Sequence, residues 1–120
     1  MLTNRAGLGS TGIPTVCVSI PPSEGTDPAH HPARHRRWAD VNAALRTWAS
    51  STASMCTYME FPVPMTHPFD AETAGLWEPD GLHLTPAGSE RVVAALAPVV
   101  QNALLLGGGR DTSTLTQASL

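Results

Sequence analysis

Asp80 and His83 stand three residues apart in the stretch Trp77-Glu78-Pro79-Asp80-Gly81-Leu82-His83-Leu84-Thr85-Pro86-Ala87-Gly88. An imidazole that is to accept a proton needs one ring nitrogen held by a carboxylate and the other left free. A short loop lets one residue pair meet both conditions, and Gly81 allows a backbone turn that a Cβ would hinder. Taken alone, the two residues favour plainer roles, a solvated turn aspartate and a loop histidine bonded to a carbonyl. The pair is also only two thirds of a hydrolytic triad, so a nucleophile must come from elsewhere.

The elements that must position this loop are read from the periodicity on either side. Thr15-Val16-Cys17-Val18-Ser19-Ile20 is rich in β-branched residues and is closed by Pro21-Pro22, which predicts a buried strand over 15–20. Residues 21–32 have loop composition. Beyond them Trp38, Val41, Leu45, Trp48 and Ala49 recur at three- and four-residue steps, opposite Arg34, His35, Arg37, Asp40, Arg46 and Thr47. That pattern predicts an amphipathic helix over 32–50 with Pro32 at its first position. A second strand is expected over 55–61. Strand, helix and strand at this spacing form a βαβ unit, whose right-handed crossover makes the strands parallel. Residues 62–79 form a Pro-rich loop at the C-terminal end of that sheet, where sites are usually built. Thr85 is placed to cap, and Pro86 to open, a helix over 86–106. Its expected apolar stripe is Val93, Leu96, Ala97, Val100 and Leu104, with a kink where Pro98 removes the bond to the Ala94 carbonyl. Residues 1–13 read as loop or helix remnant and 107–120 as a disordered tail, which leaves one domain over 1–106.

Composition narrows the function classes. The chain has 120 residues, a formal net charge of −3 and 42% apolar residues, so it is neither disordered by composition nor equipped with a basic field for nucleic acid. The apolar segment from Val92 is interrupted by Pro98, Gln101 and Asn102. It falls short of the about 18 uninterrupted apolar residues of a membrane span. Met1-Leu2-Thr3-Asn4-Arg5 lacks the apolar core of a signal peptide, which favours a cytoplasmic location. Cys17 and Cys56 lie in apolar strand-like runs rather than at metal or redox spacings and read as buried reduced thiols in preference to a disulfide.

With strand, Pro-Pro loop, amphipathic helix, strand and then Trp-x-Pro-Asp-Gly-Leu-His-Leu-Thr-Pro-Ala-Gly in place, the chain resembles the C-terminal half of the SGNH (GDSL-type) hydrolases. The resemblance runs over about residues 11–106 and is most specific over 77–96. It implies the C-terminal portion of a three-layer α/β/α, flavodoxin-like fold with a parallel sheet. It also implies a carboxylic ester hydrolase in which His83 is the general base and Asp80 orients it, with small esters as substrates and no metal or organic cofactor. Gly88, in the first turn of the last helix, is expected to permit close helix–sheet approach.

The family pattern demands two further blocks, and neither a Gly-Asp-Ser nor a Gly-x-Asn-Asp occurs in these residues. Ser10 precedes the first strand and so falls at the wrong end of the sheet. Ser23 falls at the right end but is flanked by Pro22 and Glu24, with no helix behind it to supply amide donors. The chain is therefore expected to be inactive alone. Its expected partners are the missing N-terminal half or a second copy, and the alternative is a non-catalytic truncated fragment or interaction module. His30, His31 and His35 form a local cluster, but with Pro28 and Pro32 nearby it reads as a polar loop leading into a basic helix start rather than a metal site. Trp38 and Trp48 read as core. Trp77 is balanced between substrate contact and packing.

Overall fold

The computed structural model describes residues 12–51 and 56–107. Among them are a two-stranded parallel sheet and three α-helices, the layout of a small α/β protein. Strand β1 (Thr15–Val18) pairs with β2 (Cys56–Met59) in the register Thr15↔Cys56 to Val18↔Met59. Both are shorter than expected. Ser19 still donates its N–H to the Met59 carbonyl at 2.9 Å, while its hydroxyl turns to accept from Phe61 N–H at 2.8 Å. At Ile20 the ladder is replaced altogether, because the Ile20 N–H donates to Asn42 Oδ1 and its carbonyl accepts from Asn42 Nδ2 and Trp38 Nε1.

Helix α1 (Pro32–Ser51) connects the strands and packs against β2, as the period predicts. Arg46 lies over the Tyr58 ring at 5.3 Å and pairs with Glu60, tying helix to strand end. Its expected stripe is only partly covered: Ala49 is buried, Trp38, Leu45 and Trp48 are half-buried, and Val41 is exposed. Two strands offer too little surface to cover it.

The loop between β2 and the Asp80–His83 turn holds a further helix, α2 (Ala71–Leu76). Asp70 caps it, its side chain accepting from Thr73 N–H at 2.8 Å. Six residues are too few to display a helical period, which is why the sequence shows only loop there. Val63, Leu76 and Trp77 form the most enclosed cluster, with Phe61, Met65, Phe69, Leu84 and Val92 packed against it. The main core thus lies beneath the 61–84 segment rather than on the sheet.

Helix α3 (Pro86–Gly107) is continuous through Pro98 and packs against α2 and β1. Its inward face is Val92, Ala95, Leu96, Val99 and Ala103. The expected stripe is therefore corrected: only Leu96 of its members faces inward, and Val93 is 65% exposed with Val100 and Leu104 also outward. The helix is apolar on nearly all sides, so periodicity alone could not choose the buried side. Residues 1–11 and 108–120, including Ser10 and the expected tail, lie outside the described residues. No described helix is long and apolar enough to cross a membrane.

Candidate functional site

The Asp80–His83 turn is held at both ends. Trp77 and Leu84 form an isolated antiparallel bridge, and Glu78 N–H donates to the His83 carbonyl at 2.8 Å. Gly81 N–H closes the turn onto the Glu78 carbonyl at 3.0 Å. Below it, Trp77 is buried, 2% exposed, with its indole N–H on the Pro64 carbonyl at 2.8 Å and its ring tilted against Phe61. The structure makes Trp77 a core anchor of the turn. Of the two roles left open for Trp77, packing is the one this enclosure displays, since the residue is only 2% exposed.

Gly81 adopts φ +66°, the left-handed region that a residue with a Cβ enters only at a cost. Space forbids a side chain as well, since a Cβ there would stand 2.7 Å from Glu24 Cβ. The neighbour is the short 3-10 turn Glu24–Thr26, which follows β1. Glu24 N–H donates to the Gly81 carbonyl at 2.8 Å, and Ser23 caps that turn through a reciprocal box with Thr26. The two loops at the C-terminal end of the sheet are thereby joined directly. Ser23 Oγ accepts from Gly25 N–H and so belongs to the turn, and among the described residues it makes no hydrogen bond to His83.

Within this frame Asp80 and His83 meet as their spacing predicts. Asp80 Oδ2 lies 2.6 Å from His83 Nδ1, while Oδ1 accepts from Leu82 N–H at 2.9 Å and His83 N–H at 3.1 Å. The bond from His83 and then the two amides push the Asp80 carboxyl down to about 2 from an ordinary 3.8. An ionised carboxylate only accepts, so Nδ1 carries the proton, and in the neutral ring the lone pair is then on Nε2. The His83 side chain is 72% exposed and that of Asp80 48%.

A second pair of the same form was not anticipated. Asp27 Oδ2 lies 2.6 Å from His30 Nδ1 and Asp27 Oδ1 accepts from Ala29 N–H at 2.9 Å, the arrangement seen at Asp80, Leu82 and His83. Asp27 is almost fully buried, and its bond with His30 lowers the carboxyl and raises the imidazole. The signal was legible as Asp27-Pro28-Ala29-His30, the same three-residue step, but His30 reads first as a member of a histidine cluster. That cluster does not converge: His35 Nδ1 bonds the Thr26 carbonyl at 2.8 Å instead. No family model, curated protein or solved structure matches the chain.

Proposed function

We propose that the chain is the C-terminal part of an SGNH-type carboxylic ester hydrolase and supplies the Asp–His portion of its triad. In that reading the two-stranded sheet and its helices are one side of a three-layer α/β/α, flavodoxin-like fold. The observation that carries it is the Asp80–His83 pair itself, a carboxylate fixed by two amides that holds one nitrogen of a largely exposed imidazole.

The roles follow from that geometry. His83 Nε2 takes the proton of an attacking serine hydroxyl as the Oγ–carbonyl bond forms, and returns it to the leaving alcohol when the tetrahedral intermediate collapses to an acyl-enzyme. Water then repeats the sequence and frees the acid. Asp80 keeps the imidazole in the Nδ1–H tautomer and offsets the positive charge it acquires. The serine and the oxyanion donors belong to a segment with the missing Gly-Asp-Ser and Gly-x-Asn-Asp blocks.

Two measurements test this. Imidazole ¹⁵N spectra should give His83 as the Nδ1–H tautomer, and Asp80→Asn should lose that preference; an Nε2–H tautomer in the wild type would refute the assigned roles. Short-chain nitrophenyl esters should not be hydrolysed by the chain alone in any His83-dependent way.

A second reading is a non-catalytic interaction module with the same half-fold. Its support is the outward apolar stripe of α3, Val93, Val100 and Leu104, which a self-sufficient small domain would rarely leave uncovered. A cooperative melt of the 120-residue chain alone would favour it only together with the failure of a separately made N-terminal half to restore solubility or activity.

A further inference from the structure

The loops that follow β1 and β2 bring together three side chains that the proposed ester chemistry does not use. Glu24, Asp27 and His67 each place one donor atom within 4.8 Å of the other two. This differs from a surface patch of carboxylates in two respects. One donor is an imidazole from a separate loop, and one carboxylate, Asp27, is only 3% exposed. A carboxylate withdrawn from water needs compensating donors or a cation. Asp27 has Ala29 N–H on Oδ1 and His30 Nδ1 on Oδ2, which fix the group and leave further lone pairs. Among the described residues, neither the Glu24 carboxylate nor the His67 ring takes part in a hydrogen bond, so both are available.

We infer that Glu24, Asp27 and His67 form a binding site for a divalent transition-metal cation of the Zn²⁺ type. Two carboxylate oxygens and one imidazole nitrogen are a donor set that a borderline cation accepts, with a fourth position left for water. Metal–donor distances of about 2.0–2.2 Å put tetrahedral donors roughly 3.4 Å apart, so separations within 4.8 Å must close by up to about 1.4 Å. Rotation of the exposed Glu24 side chain closes its two separations, and rotation of the half-buried His67 ring the third. His30 acts as the outer partner of Asp27, the place a hydrogen-bonded group takes behind a ligating carboxylate. Because Glu24 N–H also holds the Gly81 carbonyl, a cation bound here is anchored to the turn that carries Asp80 and His83.

The test is calorimetric titration of the full chain with Zn²⁺ at neutral pH, with Ca²⁺ as a second arm. One Zn²⁺ per chain is expected, with Ca²⁺ bound more weakly. His67→Ala and Glu24→Gln should each weaken Zn²⁺ binding at least by the ~10–100-fold that loss of a partner behind a metal ligand typically causes. His31→Ala and His83→Ala should leave it within about twofold. Glu24 is exposed, so Glu24→Gln is expected to fold, and circular dichroism checks this for each variant. The inference is overturned if no stoichiometric Zn²⁺ binds, if folded Glu24→Gln and His67→Ala bind as the wild type does, or if His31→Ala or His83→Ala weakens binding as much as His67→Ala.

Discussion

Replacing Gly88 by alanine sets two effects of opposite sign against each other. In a helix interior alanine is favoured over glycine by about 0.8–1.0 kcal/mol, an upper bound for the first-turn position of Gly88, so α3 by itself gains at most that much. The added Cβ, however, would be driven into the Leu76 carbonyl oxygen and stand 2.9 Å from Leu84 Cδ2 and 3.1 Å from the Leu76 carbonyl carbon. That carbonyl is backbone and already accepts from Thr85 N–H at 3.0 Å. Moving it forfeits a bond with a net value of about 0.5–1.5 kcal/mol, and the overpacking costs roughly 1–3 kcal/mol more. The clash wins, with a net loss near 2 kcal/mol within a range of roughly 0.5–3.5. Gly75, in α2, is the control, because a Cβ there meets nothing within 4 Å. Gly75→Ala should stabilise by up to about 1 kcal/mol. Urea denaturation followed by tryptophan fluorescence reads both. A Gly88→Ala midpoint at or above that of the wild type would refute the claim that α3 abuts the Leu76 carbonyl. The close approach expected of Gly88 is thus made to the end of α2 rather than to the sheet.

Other expectations concern the pair and its support. Asp80 has a folded value of about 2 against an ordinary 3.8, and a depressed carboxyl stabilises above the unfolded value and loses that contribution as pH falls. The urea midpoint of the wild type should therefore exceed that of Asp80→Asn above about pH 4, with the gap closing toward pH 2; a gap independent of pH would mean that the pair is not formed. Trp77→Phe removes the bond to the carbonyl of Pro64, an exposed residue whose oxygen water can then reach. It should cost about 0.5–1.5 kcal/mol in the same denaturation experiment, whereas a neutral result would contradict the anchoring role.

The elements with repeating patterns were legible in the sequence. α1 follows its three- and four-residue steps from Pro32 to Ser51, and the βαβ unit gives parallel strands. What escaped is what periodicity does not encode. α2 is too short to show a period and is marked only by the cap at Asp70. The buried side of α3 is not encoded by its period because nearly every side is apolar, so the choice between Val92 and Val93 rests on the partners of the helix. At the site, the Asp80–His83 contact was legible because both residues lie on one turn. The junction of Glu24 with Gly81, and the meeting of Glu24 and Asp27 with His67, join loops distant in sequence and carry no local signal.

The proposed role of Asp80 and His83 as the acid–base part of a serine ester hydrolase is open to a reconstitution experiment. The most direct measurement is nitrophenyl acetate hydrolysis by this chain co-assembled with an SGNH N-terminal segment bearing the Gly-Asp-Ser block, co-elution establishing the complex. The complex should show activity that neither part has alone and that His83→Ala reduces by at least about 100-fold, the usual scale of a general base. A co-eluting complex that hydrolyses the ester equally well with and without His83 would contradict it.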